Sequence, residues 1–140
     1  MLVEEAMTKN VIAINQEKTV LDACNIYQER KVGCLLVTDN QGDCVGIVTE
    51  RDIIERTICA HHNPEQTQVC NIMTSDIKTV PAKAKLEKAV EIMNEHNIKK
   101  LPVLQEGEVV GIITVTDLSR ALPQLTKRSM ENKIKPIWEE

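Results

Sequence analysis

The sequence contains one pattern twice. AMTKNVIAINQEKTVLDACNIYQERKVGCLLVTDNQGDCVGIVTERDII and IMTSDIKTVPAKAKLEKAVEIMNEHNIKKLPVLQEGEVVGIITVTDLS run side by side, with one residue lost in a turn of the second copy. Met7 and Thr8 recur as Met73 and Thr74, Ala23 and Ile26 as Ala89 and Ile92, and Leu35 and Val37 as Leu101 and Val103. The match is densest at GIVTERD against GIITVTD. A repeat of this length is one supersecondary unit that cannot bury its apolar face alone, so both copies must share a single architecture.

Within each copy the hydrophobic period switches from strand to helix and back. In the first, residues 11 to 14 are a short apolar run suited to a strand. Thr19 opens a helix carrying Val20, Ala23, Cys24 and Tyr27 on one face, and Thr19 with Asp22 imitates a capping box. Cys34–Thr38 and Cys44–Thr49 are β-rich runs joined by a polar turn around Gly42, which predicts a hairpin, and helical character resumes over residues 50 to 60. The second copy repeats the order: a strand over 77 to 80, a helix through Leu86, Ala89, Val90 and Met93, hairpin strands over 101 to 104 and 109 to 114, and a helix from Thr116. The expected fold is α/β (α+β): two βαββα repeats related by pseudo-twofold symmetry, their two small sheets packed together and flanked by helices. The division is repeat 1 over 1–60, a polar connector over 61–71, repeat 2 over 72–122 and a tail over 123–140.

Composition removes several classes of function. The 140 residues include no Phe, one Tyr and one Trp, and the net charge is -4, so the chain has neither stacking platforms nor a basic field for nucleic acid. No apolar run approaches the ~20 residues needed to cross a bilayer, and the first ten residues carry acids where a signal peptide would carry bases. A cytoplasmic protein with no membrane partner is expected. Five cysteines without paired spacing argue against a disulfide framework, and Cys24, Cys34 and Cys44 fall on apolar segments as small core residues. Cys59, His61, His62 and Cys70 are zinc-capable donors, but they lack the paired spacing of a metal site, so a solvated linker is expected and no metal. His96 falls at the end of a helix, where an imidazolium meets the C-terminal dipole. No catalytic triad, redox motif or Walker-type loop is present, and no enzymatic activity is expected.

The chemistry-bearing pattern is Gly46, Ile47, Thr49 and Asp52, recurring as Gly111, Ile112, Thr114 and Asp117. A strand ending in Thr and passing directly into a helix presents unpaired N–H groups and a hydroxyl, which suits a phosphate. An Asp one turn on can accept two hydrogen bonds from a ribose diol. The same spacing also describes a capping box, with Thr49 and Thr114 as caps.

These motifs, the AMT and IMT openings and the KVGCLLV and IKKLPVL segments together resemble the tandem CBS pair, or Bateman module, over residues 2 to 122. The resemblance implies a module that binds an adenosyl ligand (AMP, ADP, ATP or S-adenosylmethionine) in the cleft between its repeats and signals to an effector protein of unknown identity. It further implies sites that join the motif of one repeat to the opening of the other. The preferred site would comprise Thr8, Asn10, Ile12, Lys99, Ile112, Thr114, Thr116 and Asp117, with Lys99 toward phosphate. The second would comprise Thr74, Asp76, Lys78, Gly33, Ile47, Thr49, Arg51 and Asp52, with Arg51 as its cation and charges at Asp76 and Lys78 where the first has Asn10 and Ile12. Such modules pair as homodimers through helices like those bearing Ile53, Ile54, Ile58, Leu118 and Leu122, although these residues suit internal packing equally well. A ligand-free interaction module is the alternative. In the tail, Trp138 is either part of an ordinary terminus or an interface anchor.

Overall fold

The computed structural model of the chain describes residues 1–121 and contains two small mixed sheets of three strands each, flanked by helices. Leu122 and the tail with Trp138 lie outside the described residues. The elements run α1 (Val3–Ala6), β1 (Ala13–Asn15), α2 (Val20–Arg30), β2 (Cys34–Thr38), β3 (Cys44–Thr49), α3 (Glu50–Ile53), β4 (Val80–Pro81), α4 (Leu86–His96), β5 (Lys100–Gln105), β6 (Glu108–Thr114) and α5 (Val115–Ala121). A single turn of 3₁₀ helix, Val69–Asn71, opens the second copy as α1 opens the first. These opening turns carry no periodic signal. What places them is one anchor each, Val3 and Val69, both fully buried.

The chain divides into two compact units. One is Val11–Ile77, and the other joins Met1–Asn10 to the chain from Lys78 onward. The opening of the first copy is therefore built into the unit that holds the second copy's sheet. In the Val11–Ile77 unit the strand order is β1-β2-β3: β1 runs parallel to β2, with Ala13 opposite Leu36, and β2 pairs antiparallel with β3, with Leu36 opposite Ile47. The other unit repeats this as β4-β5-β6, with Val80 opposite Val103 and Pro102 opposite Ile112. Parallel neighbours need a crossover, and α2 and α4 supply it.

Each helix buries an apolar stripe on its own sheet. Val20 and Ala23 of α2 pack with Leu35, Val37 and Val48, while Leu86, Ala89 and Met93 of α4 pack with Leu101, Val103 and Ile113. Tyr27 spans this layer in the first unit, its hydroxyl donating to the Val48 carbonyl at 2.6 Å, and burial pushes the phenol pKa up. The α2 capping box forms as expected: the Thr19 hydroxyl accepts from the Asp22 amide and the Asp22 carboxylate accepts from the Thr19 amide, both at 3.1 Å. The connector completes this end, since Val20 N–H donates to Thr67 O at 2.8 Å and Leu21 N–H to Pro64 O at 3.1 Å. α4 has no side-chain cap, and its first amide, Leu86, donates instead to Met1 O at 3.1 Å. Both helices end on a left-handed residue, Lys31 at φ 52 and Asn97 at φ 53.

One expectation needs correction, and one left open is decided. The helix expected over 50 to 60 is regular only to Ile53 and then widens into a π turn, Ile54–Ile58, closed by Cys59 N–H on Ile54 O at 2.8 Å. Of the apolar residues named for a dimer face or for internal packing, Ile53 and Leu118 are buried in the cores of their own units, while Ile54 and Ile58 are more than half exposed.

Candidate functional site

Each strand–helix junction is finished by an opening segment laid along the free edge of the last strand. Thr8 N–H donates to Ile112 O at 2.9 Å and Ile112 N–H donates to Thr8 O at 3.0 Å. The other unit has the same pair, Thr74 N–H to Ile47 O at 2.9 Å and Ile47 N–H to Thr74 O at 3.0 Å. The recurring Gly permits this approach. A Cβ on Gly111 would lie 2.6 Å from Met7 Sδ and 2.9 Å from Thr8 O, and one on Gly46 would lie 2.5 Å from Met73 Sδ and 3.0 Å from Thr74 O. Gly, Met and Thr of the two motifs are thus one docking joint.

At that joint the T-x-x-D motif forms its cap and also meets the opening Thr. Asp117 is buried; its Oδ2 accepts from Thr114 N–H at 3.0 Å and from the Thr114 hydroxyl at 3.1 Å, and its own amide donates to Thr114 Oγ1 at 3.2 Å. The Thr8 hydroxyl donates toward the carboxylate's outer side, 3.2 Å from Oδ1 and 3.3 Å from Oδ2. Asp52 follows the same plan: Oδ2 accepts from Thr49 N–H at 3.0 Å, the Asp52 amide donates to Thr49 Oγ1 at 3.2 Å, and Oδ1 accepts from the Thr74 hydroxyl at 3.4 Å. The cap orients each carboxylate toward the opening Thr.

The structure brings together four residues assigned to each site: Thr8, Ile112, Thr114 and Asp117 in one unit, and Thr74, Ile47, Thr49 and Asp52 in the other. Lys99 adjoins the first group through its backbone, its carbonyl accepting from Val115 N–H at 3.1 Å, and its side chain is exposed, as is that of Thr116. Asn10 is exposed at the end of the opening segment. Ile12 lies in the Val11–Ile77 unit, where it packs on the core and its carbonyl accepts from Leu36 N–H at 3.0 Å. Gly33 and Asp76 belong to that same unit and are exposed, whereas Lys78 begins the return into the other unit.

The two arginines near Asp52 are placed differently. Arg51 is exposed and holds Glu55 at 2.7 Å through Nε. The guanidinium beside Asp52 is that of Arg56, with Nη1 at 3.8 Å from Asp52 Oδ1 and donating to Ile72 O at 3.1 Å and Met73 O at 3.0 Å. A search by repeat passes over Arg56, because its counterpart in the second copy is Ala121. The docking Met was visible in the repeated AMT and IMT openings, but only the strand edge gives it a role.

Among the described residues no group of three or more His, Cys, Asp or Glu side chains is placed to hold a metal ion. No helix of the described residues is long and apolar enough to cross a membrane.

Comparison with known proteins agrees with this architecture. The CBS domain model matches residues 3–58 and 69–124. The CBS domain-containing protein YhcV of Bacillus subtilis is 31% identical over 127 residues, covering 91% of this chain and 88% of its own. Hypoxic response protein 1 of Mycobacterium tuberculosis is 27% identical over 120 residues, covering 86% and 84%. A crystal structure of the conserved CBS domain protein TA0289 of unknown function from Thermoplasma acidophilum superposes with a TM-score of 0.87 at 31% identity, covering 95% of this chain and 75% of that one.

Proposed function

Because the chain belongs to the CBS domain family, as a tandem pair, we propose that it is a sensor of an adenosyl ligand: AMP, ADP, ATP or S-adenosylmethionine. Tandem CBS modules are generally regulatory, and no catalytic domain accompanies this one among the matched residues. The observation that carries the reading is Asp117, a buried carboxylate fixed by a cap through Oδ2 while Oδ1 meets the Thr8 hydroxyl at 3.2 Å and the exposed Arg120 guanidinium at 4.0 Å. A carboxylate has about four lone-pair positions, so Oδ1 can take a ribose hydroxyl in addition to Thr8 or in place of it. The unit containing Asp117 is the preferred site. Lys99 supplies its positive charge, Thr114 and Thr116 its hydroxyls, and Ile112 an apolar surface for the base. Ligand would bias the module only by its difference in affinity between conformations, and a partner protein would read that difference.

Thermal unfolding in the presence of AMP, ADP, ATP and S-adenosylmethionine tests the reading, since ligand at 100 times its dissociation constant adds about 2.7 kcal/mol to stability. Asp117→Asn keeps an acceptor for the cap and removes the charge. It is expected to weaken binding by about 1–3 kcal/mol while leaving the fold intact. Unchanged affinity in the folded variant refutes the ribose assignment. A second reading, a ligand-free interaction module, is favoured by one observation: both motif carboxylates already have partners within the chain. Absence of any thermal shift at millimolar ligand would select it.

A further inference from the structure

We infer that Arg56 makes the two sites unequal: it straps the opening segment of the Val11–Ile77 unit to its own motif and leaves the site around Asp117 as the receptive one. Arg56 Nη1 donates to two consecutive main-chain carbonyls, Ile72 and Met73, that lead directly into Thr74, and it stands 3.8 Å from Asp52 Oδ1. One cation thus ties the segment to the carboxylate whose second oxygen a ligand hydroxyl would need. Charge-assisted bonds are about twice as strong as neutral ones, so the strap outweighs the 3.4 Å contact from the Thr74 hydroxyl.

Among the described residues the other unit shows no such strap. Ala121 stands at the position equivalent to Arg56. The nearest comparable cation, Arg120, lies 4.0 Å from Asp117 Oδ1 with a side chain 78% exposed, against 49% for Arg56. Among the described residues, the Met7–Thr8 segment is held at this joint by the strand-edge pair with Ile112 and by the Thr8 hydroxyl.

The local backbone supports a role for Arg56. It sits in the π turn Ile54–Ile58, beside Thr57, whose fully buried hydroxyl has no hydrogen-bond partner. A π turn and an unsatisfied buried hydroxyl each cost stability, and such turns recur at functional positions. α5 is a regular helix over its described length, Val115–Ala121.

Only the ligand consequence rests on the adenosyl reading; the strap does not. Amide hydrogen exchange by NMR on the full chain, wild type against Arg56→Met, separates the two. Loss of a charge-assisted pair of bonds is expected to speed exchange of the Thr74 and Ile47 amides about tenfold or more, with the Thr8 and Ile112 amides unchanged. Unchanged Thr74 and Ile47 amides, or an equal rise at all four, overturns the inference. If Arg56→Met folds poorly, the comparison is made in a Thr57→Val background, which removes the unpaired hydroxyl. Calorimetric titration with AMP, ATP and S-adenosylmethionine is then expected to give one site per wild-type chain and two in Arg56→Met. Two equal sites in the wild type, or one in Arg56→Met, overturns the ligand consequence. No binding to either protein refutes the adenosyl reading and leaves the exchange rates to decide the strap.

Discussion

Gly46 and Gly111 are required for the room they leave. The opening segment crosses β3 and β6 so closely that a Cβ would meet Met Sδ and a main-chain carbonyl at 3.0 Å or less. The thioether can swing aside, but the Thr74 and Thr8 carbonyls cannot without breaking the strand-edge pairs. Gly46→Ala and Gly111→Ala are each expected to lower unfolding stability by about 1–3 kcal/mol in urea titrations, the range for overpacking a close contact. Gly42 and Gly107 differ, since they occupy hairpin turns at φ 85 and φ 80, where glycine is chosen for its backbone freedom. Sequence reading found the motif glycines by their recurrence, but it could not give their reason, because the clashing atoms lie far along the chain. Arg51 and Arg56 show the same limit. Both are near Asp52 in sequence, and only the helix geometry decides that Arg51 turns to Glu55 and Arg56 to Asp52.

At the scale of elements, the two crossover helices are copies with different N-termini. α2 is closed by the Thr19–Asp22 box, in which the Thr19 amide and hydroxyl hold the Asp22 carboxyl below its usual range. A carboxylate whose pKa is lowered on folding stabilises the protein above its unfolded value near 3.9, and that contribution is lost as pH falls through the lowered value. The stability difference between wild type and Asp22→Asn should therefore stay constant from about pH 7 to pH 5 and shrink below about pH 4. A difference that persists at lower pH would show that the charge is not what stabilises the box. α4 has Lys85 at its cap position and no such box, so its start should respond little to acid through this route. Both hairpins and both crossover helices were legible from periodicity, because each has a wet and a dry face. The π turn was not: it shifts phase within one turn, and Ile53 is drawn into the core while Ile54 and Ile58 are left out.

At the scale of the whole molecule, Ile54 and Ile58 are large apolar side chains, 54% and 55% exposed, four residues apart on one element. Two such residues on one turn suit a symmetric contact with a second copy, in which one patch meets itself. A homodimer formed through this face predicts that Ile54→Glu with Ile58→Glu halves the mass seen by sedimentation equilibrium, with the helical circular dichroism retained. An unchanged mass would assign any self-association to another surface. The repeat, the order of elements within it and the Thr–Asp motif at each strand–helix junction are written into local pattern, because propensity, capping and hydrophobic period act over a few residues. Three features emerge only on folding: Met1–Asn10 completes the unit begun at Lys78, each motif carboxylate meets both its cap and an opening Thr, and Arg56 stands beside Asp52. These depend on strand edges and contacts between residues far apart in the chain, which local patterning does not encode.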